Sequence, residues 1–191
     1  MRAPSPPESA RRAELLERSY QYVLAHGITG ISLRPLAAAV GSSPRVLLFL
    51  FGSKEGLVRA LLARARAQET ELLRQPPARD GAAAAGLEVW SWLAADEHRG
   101  LLRLWVESYA RSLIEPDGPW GEFARETVDD WLTLLAAGQP ERSRDGAAAV
   151  AERTLVLAVL RGAMLDLLAT GDRERTTEAV RLGLRRLSRR S

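Results

Sequence analysis

The chain has 191 residues, of which 46% are hydrophobic and 27% charged, with a formal net charge of +3 and no cysteine. That length can bury one sizeable core or two coupled ones, and the missing cysteines exclude a disulfide framework and a thiolate zinc site. No uncharged apolar run approaches membrane-spanning length, and the opening MRAPSPPESARR lacks the apolar stretch of a secretory signal, so a cytoplasmic protein without a membrane partner is expected.

Taken in chain order, the first predicted helix covers SPPESARRAELLERSYQYVLAH. Ser5 with Glu8 reads as a capping box and Pro6 as the first helical residue. Ala13, Leu16, Tyr20 and Val23 make an apolar stripe, and Gly27 supplies the stop. Ser32 reads as the side-chain N-cap of a second helix running to about Val40. Leu36 and Val40 share a face, with the small Ala37 between them. Gly41 sits where the chain must turn with positive φ. Ser43 then caps a third helix, with Pro44 at its first position. Leu47, Leu50 and Phe51 are expected to face inward, leaving Arg45, Val46, Leu48 and Phe49 outside. Gly52 ends that helix, Ser53 caps the next, and Lys54 lies in its first turn. Residues 32–51 thus read as a helix-turn-helix, a unit that can set one helix end-on in the major groove of DNA.

Longer helices follow. KEGLVRALLARARAQETELLRQ ends at Pro76–Pro77, and GAAAAGLEVWSWLAAD comes next. EHRGLLRLWVESYARSLI stops before Glu115–Pro116, and WGEFARETVDDWLTLLAAG runs to Gly138. DGAAAVAERTLVLAVLRGAMLDLLATG and RERTTEAVRLGLRRLSRR complete about nine helices. The expected fold is all-α: an N-terminal three-helix DNA-binding domain at 1–66 and a C-terminal helical domain at 67–191. The boundary falls inside the helix that begins near Lys54.

Charge divides the same way. Residues 1–66 hold ten basic and four acidic residues, and the remainder holds seventeen and twenty. The basic excess therefore coincides with the helix-turn-helix, which favours double-stranded DNA as a partner. Ser32, Arg34 and Lys54 stand at helix N-termini, where backbone N–H groups and a cation can hold a phosphate. Ser42, Ser43 and Pro44 sit at the start of the helix that would enter the groove. Arg45 has the side chain for a bidentate contact to guanine, and Leu48 and Phe49 offer apolar contact to a thymine methyl.

All five tryptophans lie beyond residue 66. Trp90, Trp105, Tyr109, Phe123 and Trp131 are candidate walls of an apolar small-molecule pocket, with Glu107 and Asp166 as candidate polar groups. Plain core packing explains the same aromatics one by one. Small residues at Ala158 and Gly162, with Leu165, Val180, Leu184 and Leu187, are candidates for a two-fold helix-packed dimer interface.

Residues 25–62, AHGITGISLRPLAAAVGSSPRVLLFLFGSKEGLVRALL, resemble the tetracycline-repressor (TetR-like) family of transcriptional regulators. The resemblance rests on the glycine after the first helix, the serine before the second, the Ala37–Gly41 pair, and the run from Phe51 to Glu55. It covers about the first third of the chain. It implies an all-helical homodimer whose divergent C-terminal domain binds a small effector and thereby displaces the DNA-binding domains. There are two departures from the pattern. Leu48, Phe49 and Leu50 stand where tyrosine or histidine is usual, and Pro35 replaces a common acidic residue.

No catalytic signature competes. The two histidines lie on separate helices, no phosphate-loop or nucleophile-elbow motif occurs, and Asp129–Asp130 point about 100° apart on one helix. No enzyme activity, cofactor or metal is expected. The reading is a ligand-responsive regulator, a repressor, that binds a pseudo-palindromic operator as a homodimer and is released by a small, largely apolar effector. The alternative keeps the fold as a ligand-binding or protein-interaction module that has lost operator binding, and the apolar Leu48–Phe49 face is its support.

Overall fold

A computed structural model describes residues 8–73, 81–142 and 144–188. Among these the chain forms nine α-helices and one short 3₁₀ turn, with no strand. They are α1 (Glu8–His26), α2 (Leu33–Ala39), α3 (Pro44–Phe51), α4 (Lys54–Leu73), α5 (Ala82–Leu93), α6 (Arg99–Ile114), α7 (Phe123–Ala137), α8 (Ala147–Thr170) and α9 (Arg173–Ser188). Each of the nine expected helices is present. The Ser5–Glu8 capping box and the Pro76–Pro77 stop lie outside the described residues.

The chain divides into two compact units. One comprises 1–69 together with 103–124, and the other 70–102 together with 125–191. The first therefore takes in most of α6, which the sequence assigned wholly to the C-terminal domain. One tie between this part of α6 and the amino-terminal helices is a carboxylate. Glu107 accepts hydrogen bonds from the backbone N–H groups of Ile28 (2.8 Å) and Thr29 (3.3 Å) in the turn after α1.

In this unit α1 is the central strut. Leu15, Ser19, Tyr20 and Val23 are its buried residues. The expected stripe is corrected by about one position, since Ala13 is exposed and Leu16 only half-buried. The cause is Ser19, a fully buried polar residue that an apolar pattern does not register. Toward α4, the Arg64 guanidinium bonds Glu17 at 2.8 Å and lies 4.7 Å from the centre of the Tyr20 ring. Tyr20 reaches Gln68 at 2.9 Å. Toward α2 and α3, Arg18 donates to the Val40 carbonyl and Arg12 to that of Leu50.

In the second unit α5, α8 and α9 pack on one another. Gly86 is a point of close approach. A β-carbon built there would lie 2.6 Å from Val156 Cγ1 and 3.1 Å from Leu184 Cδ1. Next to the N-terminus of α5, where the Gly81 N–H donates to the Gly138 carbonyl at 2.9 Å, Gln139 is buried and satisfied from several sides. Its amide donates to the Ala149 carbonyl and the Glu152 carboxylate, each at 2.9 Å, and accepts from Arg153. Val180 and Leu184 are fully buried in this packing. They are core residues, which corrects their assignment to a dimer interface: an apolar stripe fixes which face is covered, not by which chain.

Two outcomes follow. Gly86→Val should destabilise the protein by about 1–3 kcal/mol through overpacking, read as a lowered urea midpoint with unchanged slope. The second concerns Glu17, whose pKa is lowered from the ordinary 4.5, chiefly by the hydrogen bond from Arg64. A depressed carboxylate contributes stability above its unfolded pKa and loses it as pH falls through the folded one. Thermal melts of the parent and Glu17→Gln proteins should therefore differ most near neutrality and converge in acid, once the folded-state carboxylate is protonated.

Candidate functional site

The helix-turn-helix is built from short elements held by their ends. Gly41, at φ +68°, reverses the chain between α2 and α3, and the Ser42 N–H returns to the Ala37 carbonyl at 2.8 Å. Ser43 has extended dihedrals, and its hydroxyl accepts from the Val46 N–H at 3.3 Å. With Pro44 at the first position, α3 thus begins as expected. Ser53 repeats the device for α4, accepting from the Gly56 N–H at 3.0 Å. The Glu55 pKa is lowered by its own backbone N–H and the Ser53 hydroxyl, which completes the cap.

Two serines depart from expectation. Ser32 occupies the N-cap position of α2 with extended dihedrals, but its side chain makes no capping bond. Only its carbonyl serves the helix, accepting from the Leu36 N–H at 3.2 Å. Its hydroxyl is left for solvent or a ligand. Ser42 is the reverse case. Its Oγ is buried in the turn without a hydrogen-bond partner, so it is removed from the set of surface contacts.

Leu47 and Phe51 form the buried side of α3, and Leu50 is half-buried at its margin. The opposite side carries Arg45, Val46, Leu48 and Phe49, with Phe49 73% exposed. Arg34 and Lys54 are exposed as well. The sequence from Arg18 to Lys54 contains no aspartate or glutamate. The acids of α1 are engaged on their own ground: Glu14 pairs with Arg11 and Arg18, and Glu17 with Arg64. Arg34 and Arg45 have no acidic partner among the described residues, while Lys54 has Glu55 beside it. The face thus combines unneutralised cations with an apolar ridge.

The five candidate pocket aromatics do not fall together. Trp105, Tyr109 and Phe123 belong to the first unit, and Trp90 and Trp131 to the second. Trp105 and Tyr109 stack at 4.8 Å between ring centres, and Phe123, Trp90 and Trp131 are buried. Of these five, only Trp90 borders a described cavity, a groove between α5 and α9. The polar candidates are elsewhere too. Asp166 is clamped by both arms of Arg175, at 2.6 and 2.7 Å, which lowers its pKa. Glu107 holds the turn after α1. Nothing in the sequence flags that role, because a glutamate on an amphipathic helix ordinarily marks its solvated side.

Among the interface candidates, Ala158, Gly162 and Leu165 lie along one exposed stripe of α8. Apart from its own helix backbone and chain neighbours, no atom comes within 4 Å of a β-carbon built at Gly162. Leu187 on α9 is half-buried, while Leu155 and Leu182 are each 48% exposed.

Neither a protein-family profile nor a curated protein sequence matches this chain. Solved structures do. A transcriptional regulator from Rhodococcus sp. Rha1 aligns with a TM-score of 0.76 at 19% identity, over 92% of this chain and 95% of its own. A TetR transcription regulator from Haloarcula marismortui gives 0.75 at 16% identity, over 95% and 98%. The multidrug binding protein EbrR, solved with imidazole, gives 0.66 at 26% identity, over 91% and 89%. The chain therefore has a TetR-like fold, and the resemblance carried by residues 25–62 extends to nearly its whole length.

The capping geometry separates two similar serines. Ser43→Ala should destabilise the first unit by about 1 kcal/mol, the worth of an N-cap, while Ser32→Ala should leave stability within about 0.5 kcal/mol. Chemical denaturation of the two variants side by side checks this.

Proposed function

We propose that this protein is a one-component, ligand-responsive transcriptional regulator that acts as a repressor. It binds a pseudo-palindromic operator as a homodimer and releases it when a small, largely apolar effector binds the C-terminal domain. The observation that carries the reading is the outer face of α3. An N-capped helix presents Arg45, Leu48 and Phe49 outward from a stretch that holds no carboxylate between Arg18 and Lys54. Phosphate attraction needs such a surface, and an acid on it would repel the backbone.

In this reading Arg34, Lys54 and the free Ser32 hydroxyl contact phosphates and fix the register. Arg45 reads a guanine edge, and Leu48 and Phe49 lie against thymine methyls. Ser43 and Pro44 set the entry angle of the helix. The exposed α8 stripe of Ala158, Gly162 and Leu165, with Leu187 of α9, meets its symmetry mate. Small residues there permit close helix approach, and the pairing sets two copies of α3 about one DNA turn (~34 Å) apart. The α8 stripe and the fold shared with regulators support these assignments. The small-molecule part is supported by EbrR, described as a multidrug binding protein and solved with imidazole and with proflavin.

One observation favours a second reading. The outer face of α3 exposes Val46 and Leu48 by more than a third and Phe49 by 73%. Such a ridge also suits a protein partner, which would make the chain an interaction module with this fold.

Selection of genomic DNA fragments by the purified protein at two salt concentrations separates the two. The regulator should enrich a pseudo-palindrome whose retention falls steeply with salt. Lys54→Ala should weaken binding to all sequences alike and reduce the salt slope of the dimer by about two, one per subunit, whereas Phe49→Ala should relax preference at particular positions. A folded dimer that enriches nothing at either salt would sink the regulator and leave the interaction module.

A further inference from the structure

The groove between α5 and α9 is the one described cavity bordered by a candidate pocket aromatic, and its chemistry is unlike that of a plain apolar pocket. Its volume is about 590 Å³, within the range of small-molecule sites. The floor is Leu87, Trp90 and Ala94. Trp90 is fixed there by its indole N–H, which donates to the Thr177 hydroxyl at 3.0 Å. The rim is Arg173, Arg181 and Arg185 of α9. With Thr177 these recur every four residues, so one stripe of the helix carries them all.

The rim cations are unequally neutralised. Arg173 pairs with Asp96 at 3.0 Å and Arg181 with Glu178 at 2.7 Å. Arg185 has no acidic partner among the described residues. It lies one turn from Arg181, and like charges at that spacing disfavour a helix. An anion placed between the two guanidiniums relieves that repulsion and accepts charge-assisted hydrogen bonds, while the floor takes an apolar body.

We propose that this groove binds an organic anion: a flat aromatic or acyl body lying on Leu87, Trp90 and Ala94, with its carboxylate, sulfonate or phosphate held by Arg185 and Arg181. This names the chemical class of the effector in the regulator reading and rests on that reading only for its consequence at DNA. Ligand binding itself does not require an operator.

Two fluorescent probes of matched shape test it on the full chain without DNA. Anilinonaphthalene sulfonate is anionic, and N-phenylnaphthylamine is its neutral counterpart. The sulfonate should bind saturably, once per chain, and at least about tenfold more tightly than the amine, the worth of a hydrogen bond between charged partners. Added salt should weaken the sulfonate and leave the amine unchanged. The doubly substituted Arg181→Gln, Arg185→Gln protein should lose the preference, with its helix content and thermal midpoint unchanged. Arg103→Gln, an exposed charge of the other unit, should keep it. Equal binding of the two probes, absence of saturable sulfonate binding, or a preference that survives in the double variant overturns the proposal. Those failures leave operator binding untouched. An intact probe preference in a protein that selects no DNA would instead sink the regulator reading and retain the site.

Discussion

An isolated eight-residue helix does not persist in water, because nucleating the first turn costs more than so few hydrogen bonds return. That is the constraint on which the amino-terminal unit depends, since α3 has eight residues and carries the candidate base-reading side chains. It is held by its boundaries: the Ser43 cap, the Pro44 start, and Leu47 and Phe51 in the core. Arg12 adds a further tie, with its guanidinium 5.0 Å from the centre of the Phe51 ring and its Nε on the Leu50 carbonyl. Once Leu47 and Phe51 are buried, the helical repeat leaves Arg45, Leu48 and Phe49 no position but outward. The exposed ridge is thus a geometric consequence of how the core is made.

Electrostatics in the same unit follow a division of labour. The acids Glu14 and Glu17 of α1 are spent on Arg11, Arg18 and Arg64, and the Glu17–Arg64 pair braces α1 against α4. The segment that follows keeps Arg34 and Arg45 unpaired. Half-exposed ion pairs of this kind are worth little each, so the brace rests on the buried Tyr20, Leu61 and Val23 beside them. What the pairing does achieve is to keep carboxylates away from the face of α3.

Much of this was legible in the chain. Glycines at 41 and 52, serines at 43 and 53, and Pro44 carry local signals that act within four residues, so the helix-turn-helix could be drawn nearly to the residue. The longer helices were equally plain from apolar runs broken by Gly and Pro. What failed needed knowledge of neighbours. Ser32 has the backbone of a cap without its bond, and Ser42 hides a hydroxyl that a surface loop would show. Val180 and Leu184 were recognisably buried, yet their cover is Gly86 and its helix, not a second chain. The aromatics marked core in both units without saying which of them would share a cavity. Arg185 was visible only as one arginine among many, because its significance lies in the acids that α9 places beside Arg181 and not beside it.

The clasp at the end of α1 has a genetic consequence. Gly27 adopts φ +82°, and a β-carbon there would lie 2.8 Å from the Glu107 carboxylate. A side chain at position 27 therefore meets two separate objections, one from its own backbone and one from a residue eighty positions away in sequence. Loss of Glu107 removes the second objection together with the bonds to Ile28 and Thr29. The two lesions then overlap, and their combined cost falls below the sum of the parts. Positions 27 and 107 are in this sense epistatic: what evolution can write at one depends on what it has kept at the other.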